Sequence, residues 1–441
     1  MGRTILADSS LQKKIETFIE PQIGIIIGQV SLQKDFAVHL IRTPDKEDED
    51  TSFKIDAVDD IWVATHAQQV KRMLPGGLDI IGVYAAGSPD VISNAQYKLK
   101  RILYAVHKAV SMNSSASESL ELYTLLACTL TKKLTCRTFD VLDNKAAANP
   151  AEWKPQNASE RWLQVQTQLA LDVLLPISHD STSTVLKKQL LMGLQPTFDN
   201  IRNSLGTVDS QMLMPDQLLD PQGSTSERAK KGKKKQVQEE WESRVFNVDF
   251  FQQSSKAVAS SELMNCDAKI CIRGMVYGCA YLHRKATVSE AMKALKSDVI
   301  DSIVARCELL CEDILQAEEE QDPRVLYETP LRLFAPLRDS GLNFCDYLFI
   351  DEEISNSVER FRDLVDVIVR EDEIDADTER KPESEDLVKS NRIPGIEAES
   401  GSDSSAAKGK QNPLALGIGL ALGALGAGVL AASTYLFFDQ D

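Results

Sequence analysis

The chain has 441 residues, of which 43% are hydrophobic and 26% charged, a usage that excludes collagenous, fully disordered and multi-span membrane classes and leaves room for two or three cores. Sixty-six acidic against 49 basic residues give a net charge of −17, which argues against wholesale nucleic-acid binding, so no nucleic-acid partner is expected. Eight cysteines are too sparse for a disulfide-stapled secreted fold and read as reduced thiols.

The N-terminus, Met1-Gly2-Arg3-Thr4-Ile5-Leu6, is followed by no apolar stretch of signal-peptide length, so the bulk of the chain is expected in the cytosol. Residues 11–20 place Leu11, Ile15, Phe18 and Ile19 on one helical face, and Pro21 ends that element. IGIIIGQ (23–29) and FAVHLIR (36–42) read as a strand hairpin, followed by an acidic loop over 43–53. Residues 57–73 have helical periodicity, stopped by Pro75-Gly76-Gly77, and LDIIGVY (78–84) is a third buried strand. The turn AAGSPD leads into a long helix near 91–112. ELYTLLACTL (121–130) and LTCRTFDVL (134–142) are strand candidates, while 161–177 is apolar and fits helix or strand.

These elements make a first domain over 1–204. The order signal then drops over 205–240, a flexible loop with a basic run at Lys230, Lys231, Lys233, Lys234 and Lys235. A solvated loop is the simpler reading of that run; contact with anionic lipid heads or RNA phosphates is the other. A second α/β segment spans 241–370. In it 268–285 reads as two strands, Thr287-Val288-Ser289-Glu290 is a capping-box pattern, and Met292, Leu295, Val299, Ile303, Leu310 and Ile314 repeat at helical spacing. LRLFAPL (331–337), FCDYLFI (344–350) and a helix near 353–369 complete it. Residues 371–412 hold 12 acidic residues and few large apolar ones, the composition of a disordered tether.

From Leu414 to Phe438 no residue is charged. As a helix this stretch is about 37 Å long, enough to cross a hydrocarbon core of about 30 Å. Lys408 and Lys410 precede it and Asp439 and Asp441 follow, which puts the body on the cytosolic side of a single-pass anchor over 413–438. Tyr435, Phe437 and Phe438 sit where an interfacial aromatic belt belongs. Gly419 with Gly423, and Ala424 with Gly428, have the small-xxx-small spacing of close helix packing in lipid, though a Gly/Ala-rich anchor makes such pairs by chance.

Catalytic signatures are scarce. No P-loop, GxGxxG, HExxH or GxSxG occurs, and His39, His66, His107, His179 and His283 stand singly. Cys307 and Cys311 share a helix face at i, i+4 but have no neighbours in sequence to complete a zinc site, so they and Cys266, Cys271, Cys279 and Cys345 read as core thiols. No cofactor and no catalytic or metal-ligating residue is expected.

The 23–96 stretch resembles the MPN domain of the JAB/MPN/Mov34 metalloproteases, with Gly82-Val83-Tyr84 matching part of the G-W-Y of their V-G-W-Y-H-S-H-P segment. The resemblance places Ala85 and Gly87 at the two zinc-binding histidines. It places Gln96 at the aspartate with a shortened loop, or Lys98 in plain register. A zinc site that acidifies water needs donor atoms that Ala85 and Gly87 lack, so the implied domain is MPN-like and inactive.

The opening MGRTI, IIIGQ with SLQKDF and RTP, LPGGLDIIGVY, the block IRGMVYGCAYLHRKATVSEA (272–291) and the terminal apolar stretch together resemble the odorant-response-abnormal family. That resemblance implies a mixed α/β (α+β) fold in a tail-anchored endoplasmic-reticulum protein. It also implies two roles: holding the cysteine protease of the ubiquitin-fold-modifier system at that membrane, and assisting maturation or trafficking of some G-protein-coupled receptors. A receptor-trafficking adaptor independent of the protease is the alternative, and a divergent zinc isopeptidase the remote one.

Overall fold

A computed structural model of the chain describes residues 3–31, 34–46, 55–93, 95–111, 121–143, 145, 147–156, 162–177, 183–221, 244–251, 268–316, 326–338 and 340–379. The chain divides into two compact units, residues 1–44 with 50–381, and 45–49 with 382–441; of the second, only Asp45 and Lys46 are described. Everything below concerns the first unit, a mixed α/β structure.

Its N-terminal half is a closed seven-stranded barrel in the order β1-β3-β2-β4-β5-β6-β7: β1 (Thr4–Ala7), β2 (Gln22–Gln29), β3 (Asp35–Arg42), β4 (Asp79–Gly87), β5 (Glu121–Cys128), β6 (Leu134–Asp140) and β7 (Asn149–Pro155). The expected hairpin is β2 with β3, antiparallel, and β4 lies on the other side of β2. The apolar runs are continuous because both faces of these strands are covered. Ile23, Ile25 and Ile27 of β2 join one core layer, and Ile26 joins the other. Helix α1 (Ser9–Glu16) covers the second layer with Leu11 and Ile15. Helix α2 (Asp60–Arg72) and the crossover between β4 and β5 cover the first. That crossover is broken into α3 (Pro89–Ser93) and α4 (Ala95–Ser111). Leu99, Ile102, Leu103 and Val106 supply α4's buried face at helical spacing.

A five-stranded sheet follows in the order β12-β11-β8-β10-β9: β8 (Leu163–Ile177), β9 (Leu205–Val208), β10 (Arg244–Phe251), β11 (Ala268–Leu282) and β12 (Leu326–Glu328). Of the ambiguous 161–177 run, Leu163–Ile177 is strand. The 268–285 run is one strand, not two, because β11 pairs antiparallel with β8 without a break from Ala268 to Leu282. Two helices pack on this sheet: α5 (Ser183–Asn203) and the long α6 (Val288–Gln316). The start of α6 is the expected capping box: Thr287 Oγ1 accepts from Glu290 N at 3.2 Å while Glu290 Oε2 accepts from Thr287 N at 2.8 Å. A two-stranded sheet of β13 (Leu331–Leu337) and β14 (Leu342–Leu348), then α7 (Ile354–Val365), lean back on the barrel's core layer.

Two boundaries differ from the sequence reading. Residues 205–221 are structured: β9 pairs with β10, and Leu219 N donates to Ala286 O at 2.9 Å. Residues 371–379, expected in the acidic tether, are built into the body. Asp375 bridges Phe334, and Glu379 is 2% exposed. The basic run at 230–235, the rest of the tether and the 413–438 stretch, with Leu414, Gly419, Gly423, Gly428, Tyr435 and Phe438, lie outside the described residues. Among the described residues no helix is long and apolar enough to cross a membrane.

Candidate functional site

Strand β4 carries two of the positions where the metalloprotease resemblance puts zinc ligands. Ala85 is completely buried, paired with Ile23 on β2 and Leu126 on β5, in the same core layer as Leu99 and Ile102 of α4. Gly87 ends the strand, and a Cβ there would meet Val91 Cγ1 at 2.9 Å. Gln96 is half-buried on the first turn of α4. Lys98, the other candidate in register, forms an ion pair with Asp60 of α2 at 2.6 Å. At Ala85 and Gly87 the space is filled by hydrocarbon. Among the described residues no group of three His, Cys, Asp or Glu side chains converges on a common point. Cys307 and Cys311 are buried in α6, and burial pushes both thiols up to about 12.

Open space lies elsewhere, in a cleft of about 1650 Å³ between the barrel and α6. Three exposed apolar side chains line it: Leu205 is 65% exposed, and Met212 and Met214 are each 72% exposed. Charged and polar side chains line it too, several of them paired. Lys71 Nζ lies 3.0 Å from Asp79 Oδ1, and Ser297 Oγ donates to Asp301 at 3.0 Å. Burial raises the Asp301 carboxyl, opposed by Lys71. Such a recess offers adaptable apolar contact at its mouth and internally paired charges behind, which suits docking of another polypeptide.

One wall of the cleft is the Pro75-Gly76-Gly77 turn, laid against β11. Gly76 N donates to Cys279 O at 2.9 Å, and Tyr281 N donates to Gly76 O at 2.8 Å. Gly77 has φ +78°, and a Cβ on it would lie 2.1 Å from Tyr281 O, so glycine is required there. Gln29, at the end of β2, closes the joint: its Nε2 donates to Gly77 O at 2.7 Å and Tyr281 O at 2.8 Å, and its Oε1 accepts from His283 N at 2.9 Å.

The family model and the curated relatives agree with one another. A family model described as ODR4-like, Odorant response abnormal 4-like, matches residues 24–376. The chain belongs to the ODR4-like family. A protein odr-4 homolog of Xenopus tropicalis is 33% identical over 392 residues, covering 85% of this chain and 86% of the relative. The human protein odr-4 homolog is 30% identical over 397 residues, covering 85% and 86%. A solved structure titled as the crystal structure of UfSP from C. elegans aligns at a TM-score of 0.44 and 8% identity, over 83% of this chain and 57% of that one, too loose a likeness to carry a fold assignment.

In this ODR4-like chain, two segments that carried the family resemblance, 74–84 and 272–291, meet at the Gly76–Gly77 joint. Sequence reading missed the groups behind that joint. Asp298 of α6 accepts from Gly76 N and Cys279 N, both at 2.8 Å, and from the Arg332 guanidinium. Glu379 accepts from Arg306 Nη2 at 2.6 Å and from Tyr277 N and Arg332 N at 2.8 Å each. The available signal was a charge at an inward position of an otherwise apolar run, as Arg332 is within LRLFAPL.

Proposed function

We propose that this ODR4-like chain is a non-catalytic, membrane-anchored adaptor. It recruits and supports the cysteine protease of the ubiquitin-fold-modifier system at the endoplasmic reticulum and assists maturation or trafficking of some G-protein-coupled receptors. The observation that carries the reading is the state of β4. The positions that would hold a metal in an MPN-like enzyme are Ala85 and Gly87, without donor atoms and packed against hydrocarbon. The accessible feature is instead a cleft with an exposed Leu205, Met212 and Met214 rim. The uncharged stretch from Leu414 to Phe438 supports a single-pass anchor in the lipid bilayer. An anchored adaptor raises its partner's effective concentration at one surface without doing chemistry itself.

The test is purification from detergent-solubilised membranes. Full-length protein should carry the protease with it, and freed of the protease it should cleave no modifier fusion. Stoichiometric zinc with chelator-sensitive cleavage by the chain alone would refute the reading.

A further inference from the structure

We propose that residues 366–379 form a belt whose seating sets the wall of the cleft, the two joined by one hydrogen-bonded chain of buried residues. The inference concerns the body itself and holds whichever partner the cleft receives.

The belt is fixed at both ends and in the middle. At its start, Asp366 in the left-handed region (φ 53°) receives Lys14 Nζ at 2.6 Å. Just before it, Leu364 O accepts from His66 Nε2 at 2.8 Å. At its middle, Asp375 and Phe334 exchange backbone hydrogen bonds of 2.8 and 3.0 Å. At its end the Glu379 carboxylate is buried against the Arg306 guanidinium and takes the backbone N–H groups of Tyr277 and Arg332. From Arg332 the path continues directly. Its guanidinium grips Asp298 at 2.8 and 2.9 Å, and Asp298 in turn holds Gly76 N and Cys279 N. Gly76 and Asp298 line the cleft.

Each intermediate is sealed from water: Glu379 is 2%, Arg332 1% and Asp298 2% exposed. A buried charge of this kind cannot slide gradually, because losing its partner leaves an uncompensated ion in a low-dielectric site. Unseating Glu379 would strand the Arg306 guanidinium and take the acceptor from Arg332 N, while β13 stays paired with β14, so the proposed belt has two arrangements, seated and released. In the seated state the Gly76 turn is held shut on β11. In the released state its Asp298 anchor loses its fixed partner.

Hydrogen exchange on the full-length chain in detergent, read at single-residue resolution across low urea concentrations, tests this. The amides of Gly76, Tyr277, Cys279 and Arg332 should exchange through one shared opening, and E379Q should speed all four at least tenfold. Substitution R362A, at the exposed Arg362–Asp363 pair, should leave them unchanged. Separate openings for Gly76 and Cys279 would overturn the proposal. So would an E379Q effect confined to Tyr277 and Arg332, or none. Should E379Q fail to fold, the exchange pattern of the unsubstituted chain decides alone.

Discussion

Asp298 on α6 and Arg332 on β13 face each other as a bidentate ion pair, with contacts of 2.8 and 2.9 Å and each side chain 1% exposed. The pair sits where the barrel's Gly76 turn, β11 and the two-stranded sheet converge, and the Asp298 carboxylate bonds to all three. Burial disfavours the charged guanidinium, but the Asp298 carboxylate outweighs it and Arg332 stays protonated, its pKa raised well above the ordinary arginine value. Removing one member of a buried pair leaves the other uncompensated. R332M should therefore lower unfolding stability by about 3–5 kcal/mol, and R332K should fall between it and the unsubstituted chain, because an ammonium cannot make the two parallel bonds. Urea unfolding midpoints check both; an R332M midpoint unchanged from the original would contradict the role given to the pair.

The Gln29 joint makes a separate prediction. Gln29 is 5% exposed and satisfies two carbonyls and one N–H at once. Q29L preserves volume but orphans those three groups, each costing about 1–3 kcal/mol when buried unpaired, although water entering from the adjacent cleft limits the total. Q29E should be less damaging than Q29L only at low pH, where a protonated carboxyl can donate. Thermal melting at two pH values distinguishes the variants.

Acid should loosen the body through two histidines. His39 Nε2 lies 3.2 Å from Val365 O, and His66 Nε2 2.8 Å from Leu364 O, both at the end of α7. Burial lowers His39 to about 3, helped by the charge of Lys14. Burial also lowers His66 to about 4, partly offset by its bond to Leu364. Unfolded, both bind a proton below about pH 6.5; folded, they stay neutral until far lower pH. The unfolded state thus takes up more protons as pH falls, and stability drops by about 1.4 kcal/mol per pH unit for each histidine between about pH 6.5 and about pH 4. The doubly substituted H39Q/H66Q chain should show a shallower decline in urea midpoint from about pH 6.5 to about pH 4.5. An identical slope in both proteins would remove these histidines from the account.

Placing histidines at Ala85 and Gly87 should not create a metal site. Ala85 is 0% exposed, and a Cβ at Gly87 would lie 2.9 Å from Val91 Cγ1, so that side chain would have to shift. A85H combined with G87H overpacks the core layer and buries polar nitrogens, at a cost of about 2–4 kcal/mol. Stability measurement together with metal analysis should find a weakened fold with no stoichiometric zinc.

The barrel strands were legible where burial on both faces leaves an unbroken β-branched run, as in IGIIIGQ and LDIIGVY. Other elements were hidden for identifiable reasons. Strand β7, NPAEWKP, is largely exposed and carries two prolines, and it is strand because it closes the barrel against β1. The single strand β11 carries two glycines: Gly274 adopts φ 140° within the ladder, and Gly278 lets Val299 and Thr167 approach where a Cβ would collide. Helix α5 contains Pro196, which masked its periodicity. The acidic composition of 371–379 gave no sign that Glu379 has a buried arginine waiting for it, since that information lies 73 residues away at Arg306. The burial of Ala85 and Gly87 follows from the apolar β4 run alone, whereas the cleft is made by segments brought together only by folding.

As the proposed anchored adaptor, this chain would work by placing a partner at a membrane. The most direct measurement is vesicle flotation of the ubiquitin-fold-modifier protease from cells carrying either the full chain or a chain ending at residue 405. The account predicts that the protease floats with membranes only when residues 406–441 are present, while both forms still bind it in detergent. Equal recovery of the protease on membranes with either form would contradict it.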